Sequence, residues 1–289
     1  MNAAEFSRRK FLAMSAGVPA LLSAAGVAEL YAADIKIPVG LELFSVREGL
    51  KQDPDNTLRA VAKMGYECVE FYSPYFEWTE AQAKEKRKLL DDVGMKCYST
   101  HNTAAYFGKE NLSRARDLNL ILGTKYLVLA TPDAKKSLDE WTAVAELLDS
   151  TAEQLKPAGL KTGYHNHATE FIPINGIRPM EILAGKTKPT VMLQLDVGTC
   201  IEAGSDPVAW IKANPGRIRS IHCKDWSAQP KKGYEVLFGE GDANWPAIFS
   251  AAENGGGIEF YLVEQEGSRF SELETAEKCL ETFRTLHKS

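Results

Sequence analysis

From Ile37 onward this 289-residue chain alternates short apolar runs with longer amphipathic ones, and it does so eight times. The short runs cover residues 39–44, 68–71, 96–102, 126–130, 161–167, 191–197, 218–225 and 258–266 and read as strands. The longer ones, 55–64, 79–93, 111–122, 138–156, 179–184, 207–213, 245–253 and 271–286, carry apolar residues at helical spacing. Asp53-Pro54 and Asp206-Pro207 are helix-opening pairs, and Gly65, Gly94, Gly123 and Gly159 stand where helices should close. Eight strand-helix repeats in about 250 residues fit a (β/α)8 TIM barrel better than a doubly wound sheet. No linker or low-complexity stretch interrupts the repeats, so residues 34–289 read as one α/β domain.

The first 33 residues stand apart. Ser7-Arg8-Arg9-Lys10-Phe11-Leu12 is a twin-arginine pattern ahead of a mild apolar run to about Ala28, too short and too weakly apolar to span a bilayer. It closely resembles a Tat export signal, cut after Ala28 or Ala33, and implies a periplasmic or otherwise exported protein with no integral span once the signal is gone. A net charge of −5 leaves no electrostatic footprint for nucleic acid or an anionic membrane, so a small-molecule substrate is expected. Five cysteines without a C-x-x-C spacing indicate buried thiols rather than a zinc knuckle or a disulfide framework.

Function in such a barrel belongs at the C-terminal strand ends. The stretch 161–171, K-T-G-Y-H-N-H-A-T-E-F, holds His165, His167 and Glu170, and in an extended strand the two histidines share a face. Later strands deliver Asp196, His222 with Lys224, and Glu264 with Glu266; earlier ones deliver Glu42, Glu70, and His101 with Asn102. One polar group per successive strand is what a metal site at the barrel mouth requires. For His101 alone a hydrogen-bonded structural role is an equal alternative. For the whole set it is a poor one, because each unpaired buried charge costs several kcal/mol.

G-L-K-T-G-Y-H-N-H-x-x-E-F, Q-L-D-V-G, R-I-R-S-I-H-C-K-D-W, G-E-G-D-x-x-W and Y-L-V-E-Q-E, in that order, resemble the xylose isomerase-like TIM-barrel superfamily. More narrowly, they are similar to its Tat-exported members described as sugar phosphate isomerase/epimerase. The superfamily includes xylose isomerases, ketose 3-epimerases, hydroxypyruvate isomerases, inosose and dehydroshikimate dehydratases, and endonuclease IV, which share a divalent metal held by strands five to eight. The resemblance implies ligands at Asp196, His222 and Glu264. On strand five the commoner pattern is E-x-H, and here His165 takes the Glu place and His167 the His place. His165, His167 and Glu170 therefore compete for the fourth ligand position, with His165 expected to face the ion. A mixed N/O set suits Mn, Co, Zn or Fe better than Ca, and Mg moderately.

A metal that chelates a carbonyl and an adjacent hydroxyl acidifies the carbon-bound proton between them, and a base then moves it, giving isomerisation or epimerisation, or elimination when a β-substituent leaves. Glu264, His165 or His167 is the expected base. Lys224 and His101 are expected to bind or protonate a substrate oxygen, with pairing to Asp225 as the alternative for Lys224. Glu70, Glu240 and Glu170 are read as substrate-binding carboxylates. Tyr72, Tyr75, Phe76, Trp78, Trp226 and Trp245 either wall the pocket or pack in the core. An endonuclease IV-like phosphodiesterase would need further ligands and a basic groove that the sequence does not show. A non-catalytic sugar-binding barrel is the remaining class.

Overall fold

Eight parallel strands, β1 Val39–Glu42, β2 Cys68–Phe71, β3 Lys96–Thr103, β4 Tyr126–Thr131, β5 Lys161–His165, β6 Met192–Asp196, β7 Ser220–Cys223 and β8 Phe260–Val263, form the centre of the computed structural model. Each pairs with the next and β8 pairs back with β1, which closes the (β/α)8 TIM barrel expected from the alternation. The structure describes residues 36–131 and 135–287; the twin-arginine segment lies outside the described residues.

Period-two alternation decides what faces the barrel axis. Cys68, Tyr126, Val128, Met192, Phe260 and Leu262, with Tyr98 against them, form a closed apolar cluster that is the barrel floor. Their strand neighbours Val69, Leu127, Leu193 and Tyr261 belong to the larger core between strands and helices. Two residues further along the same inner face the chemistry changes. Cys68 gives way to Glu70, Met192 to Gln194 and then Asp196, Leu262 to Glu264, and Ser220 to His222 and then Lys224. The apolar outward set supplies the burial energy, at about 1.5–3 kcal/mol per large side chain, and frees the inner mouth for ionisable groups.

The helices that hold this sheet are punctuated as the sequence suggested. Thr79 with Gln82 and Ser137 with Glu140 make reciprocal capping boxes at the starts of Glu80–Asp92 and Leu138–Leu155. Gly65 ends Pro54–Met64 at φ +99°, a backbone conformation that side chains with a Cβ resist.

Strand ends differ from the sequence reading for reasons visible in the side chains. β1 stops at Glu42 and turns through a 3-10 segment, Leu43–Val46, into a short helix, Arg47–Gln52. β5 stops at His165 because Asn166 turns its amide onto β6: Oδ1 accepts from Asp196 N at 3.0 Å and Nδ2 donates to Asp196 O at 3.2 Å. β6 stops at Asp196, whose carboxylate accepts from Thr199 N at 2.9 Å and so opens the helix Val197–Glu202. All five cysteines are free and buried, as expected, although Cys200 lies on that helix. Among the described residues no helix is long and apolar enough to cross a membrane.

Candidate active site

The polar inner faces of seven strands meet at the barrel mouth. His222 on β7 is the hub: Nδ1 lies 2.6 Å from Glu264 Oε2 and Nε2 lies 2.8 Å from Glu70 Oε1. His101 on β3 reaches the same Glu70 oxygen at 2.9 Å and Gln194 Oε1 at 2.8 Å, and its ring stacks on His222 with centroids 5.0 Å apart. His165 packs against both, its centroid 4.5 Å from that of His101 and 4.4 Å from that of His222. Its Nε2 stands 3.9 Å from Asp196 Oδ2. Lys224 bridges the carboxylates, with Nζ 3.4 Å from Glu264 Oε1 and 3.7 Å from Asp196 Oδ2, in contact with Glu266, and 4.9 Å from the centre of the Tyr234 ring.

Charge in so dry a place is settled by neighbours. Burial pushes the Glu42 carboxyl up to about 8, against the pull of His101 and with the push of Glu70 and Glu264, so it is mostly protonated at neutral pH. Burial also opposes charge on Glu70, but His101 and His222 outweigh it and hold that carboxyl below the usual range. Glu264 behaves alike, with Lys224 and His222 overcoming its burial. For His222 burial works against the cation, yet hydrogen bonds to Glu264 and Glu70 raise it to about 10. Lys224 is likewise held well above its ordinary value by Glu264, Asp196 and Glu266 despite its burial. His165 goes the other way: burial first, then the charges of His222, His101, His167 and Lys224, keep its ring neutral.

Two atoms mark where something else fits. Asp196 Oδ2 and His165 Nδ1 are buried without a hydrogen-bond partner, a state that costs roughly 1–3 kcal/mol per group or more when charged. Burial raises the Asp196 carboxyl, which Lys224 only partly offsets. His165, Asp196 and Glu264 each offer a ligand atom within 4.8 Å of one another, and His101, His165 and His222 form a second, overlapping set. A neutral imidazole with two carboxylates and a further histidine beside them is a donor set suited to a divalent ion.

The other residues singled out in the sequence are placed as follows. His167 is exposed, its ring centroid 5.2 Å from that of His165, so the two strand-five histidines do meet. Glu170 is buried, and its oxygens are taken by Tyr164 Oη at 2.5 Å, His167 N at 2.9 Å and Thr169 Oγ1 at 2.9 Å. It anchors the loop behind the histidines. Glu240 lies at the surface in a two-pronged pair with Arg269, at 2.7 and 3.0 Å. Trp226 is half-buried. Asp225 does not pair with Lys224: it accepts from Trp226 N at 3.0 Å, Gly239 N at 2.9 Å and Trp245 Nε1 at 2.9 Å, and so ties up the loop after β7. A side chain at Gly241 would bring its Cβ within 2.0 Å of that carboxylate. Trp245 is a core residue, whereas Tyr72, Trp78 and the buried Tyr75 line an apolar cavity of about 370 Å³ between the first two strand-helix loops, which includes none of the clustered ionisable residues.

Gln194, Ser99 and Asn166 were not singled out in the sequence. Only the Gln two residues before Asp196, on the same strand face, carried a usable signal there.

The placement of Glu170 makes a stability prediction. Glu170→Gln should cost about 1–3 kcal/mol, because an uncharged amide oxygen replaces the carboxylate that His167 N and Thr169 Oγ1 donate to and Tyr164 Oη must turn to accept from the new NH2. Burial raises the Glu170 carboxyl, but His167, Tyr164 and Thr169 outweigh it and hold it below the usual range. Its contribution is therefore complete above that range and is lost as pH falls through the folded value. Melts from about pH 7 to about pH 3 should show the Tm gap to the variant closing toward acid; a constant gap would contradict it.

Comparison with known proteins agrees with this architecture. A solved sugar phosphate isomerase/epimerase from Parabacteroides distasonis superposes with a TM-score of 0.73 at 28% identity, covering 89% of this chain and 96% of that one. The IOLI protein, solved with a zinc atom bound, shares the fold at a TM-score of 0.68 and 19% identity over 86% of this chain and 98% of its own. Inosose dehydratase from Clostridium tetani is 26% identical over 159 residues, 49% of this chain, and the match spans 53% of that enzyme's length. The family model described as xylose isomerase-like TIM barrel matches residues 58–286. With that match spanning most of the barrel and the mouth built as above, the chain belongs to the xylose isomerase-like TIM barrel family.

Proposed function

We propose that this protein is a divalent-metal-dependent enzyme that removes a proton next to a carbonyl of a sugar, keto-sugar or glycoside, with isomerisation or epimerisation as the outcome. The observation that carries the reading is the convergence of His165, Asp196 and Glu264 at the barrel mouth, with Asp196 Oδ2 and His165 Nδ1 left without partners. A divalent ion held by Asp196, His222, Glu264 and His165 would supply Lewis-acid polarisation of a substrate carbonyl and its neighbouring hydroxyl. Lys224, kept charged by three carboxylates, is placed to donate to a substrate oxygen on which negative charge builds. Both Glu264 oxygens are engaged, one by His222 and one by Lys224, which makes it the poorer base. His167, exposed beside His165, is the side chain better placed to take up a proton. The export-type leader and the lack of a glycine-rich phosphate loop favour an unphosphorylated substrate.

Elimination is the second reading, and the match to inosose dehydratase supports it. Both outcomes begin with the same proton. Incubation of metal-loaded protein in deuterated water with ketoses and 3-keto-glycosides should label at least one compound at the carbon next to the carbonyl. A labelled stereoisomer or aldose assigns the isomerase, and loss of the anomeric group assigns the lyase. Isomerised but unlabelled sugar would sink proton abstraction, and a panel left wholly unchanged would favour a binding protein.

A further inference from the structure

Beneath the histidines the barrel holds a polar layer where branched aliphatic side chains would ordinarily fill the interior. Glu70 is its centre. Fully buried, it accepts at Oε1 from His222 Nε2 at 2.8 Å, with His101 Nε2 paired to the same oxygen at 2.9 Å, and at Oε2 from Gln194 Nε2 at 3.0 Å and from Ser99 Oγ. The pairing of β2 with β3 slips between Val69 and Glu70, so that Val69 faces Cys97 but Glu70 faces Ser99. A bulge of this kind re-aims a side chain. With no exposed surface, Glu70 does not reach a sugar hydroxyl, the role its strand-end position suggested. Whatever it does, it does through the rings it holds.

A carboxylate only accepts hydrogen bonds, so each Nε2 that approaches Glu70 carries its hydrogen. His222 Nδ1 faces the Glu264 carboxylate at 2.6 Å and carries a hydrogen by the same rule, so a cation bound beside Glu264 would displace the Nδ1 proton while Glu70 keeps the one on Nε2. We propose that Glu70 is a positioning residue that locks His222 in the tautomer presenting Nδ1 to a divalent ion. Ser99 and Gln194 hold the carboxylate from behind, and His101 is fixed by the same oxygen. The inference rests on the metal reading above. Carboxylates behind metal-bound histidines commonly account for about 10–100-fold in metal affinity.

The test uses the full-length protein with zinc and with cobalt. Chelator competition should show zinc bound about 10–100-fold more weakly by Glu70→Gln than by wild type, while the visible bands of the cobalt-loaded variant shift, a change that a merely structural defect at equal occupancy would not produce. Long-range nitrogen-proton spectra of the zinc-loaded wild type, labelled at histidine, should show His222 with its proton on Nε2; this measurement needs no variant to fold. Unchanged zinc affinity and cobalt bands in Glu70→Gln, or an Nδ1–H tautomer in the zinc-loaded wild type, would overturn the role of Glu70 alone. Wild-type protein that takes up neither metal would overturn the metal reading, and the positioning role with it.

Discussion

Asp196→Asn is expected to weaken divalent-metal binding by about 10²–10³-fold and to lower turnover at limiting metal in proportion. Structural zinc binding is worth roughly 10–16 kcal/mol over four ligands, so one ligand accounts for about 3–4 kcal/mol, and each 1.4 kcal/mol is about tenfold. The substitution is otherwise mild. An Asn oxygen can still accept from Thr199 N, so the helix Val197–Glu202 keeps its cap. It also removes a buried carboxylate whose Oδ2 has no hydrogen-bond partner, and Lys224 keeps Glu264 and Glu266 as counter-charges, so the metal-free variant should melt no lower than metal-free wild type. Elemental analysis after dialysis and paired melts with and without zinc read both arms. Full metal occupancy in the variant would remove Asp196 from the site.

Lys224→Met separates the charge balance of the mouth from its chemistry. Lys224 is the cation shared by Asp196, Glu264 and Glu266, and deleting it leaves two buried carboxylates, Asp196 and Glu264, with the histidines His222 and His101 to offset their charge. Breaking a buried ion pair from one side costs about 3–5 kcal/mol, which for a domain of this size is a Tm drop of roughly 6–20 °C in metal-free protein. A bound divalent ion would replace the missing charge, so saturating zinc should narrow the gap between variant and wild type. Turnover should still fall by about 10²–10³-fold if the ammonium stabilises a developing negative oxygen. A variant as stable as wild type without metal would contradict the bridging role. Full activity with metal would show that Lys224 only balances charge.

These two residues also divide what was legible before folding from what was not. Asp196 and Glu264 stand out in Q-L-D-V-G and Y-L-V-E because each is a carboxylate at the end of an apolar strand, although the helix cap that Asp196 also makes shows only in the fold. Lys224 was visible as well, but its partner was not. The sequence neighbour Asp225 is the obvious candidate, and the structure turns the two side chains of H-C-K-D to opposite faces of the chain, as period-two geometry demands. Glu170 shows the same limit: its spacing from His167 made it a candidate ligand, yet Tyr164, six residues back, claims the carboxylate.

The sequence by itself determined the (β/α)8 order, most helix boundaries and the strands that carry the ionisable groups, because periodicity and capping are local and need no partner. Only the tertiary structure decided which of those groups touch. Glu70 lies 152 residues from His222 and 31 from His101 in sequence, and barrel closure together with the β2/β3 register slip is what brings one oxygen of that carboxylate to both rings. Register, tautomer and the leftover lone pairs of Asp196 and His165 are properties of several strands at once, and no stretch of chain read alone contains them.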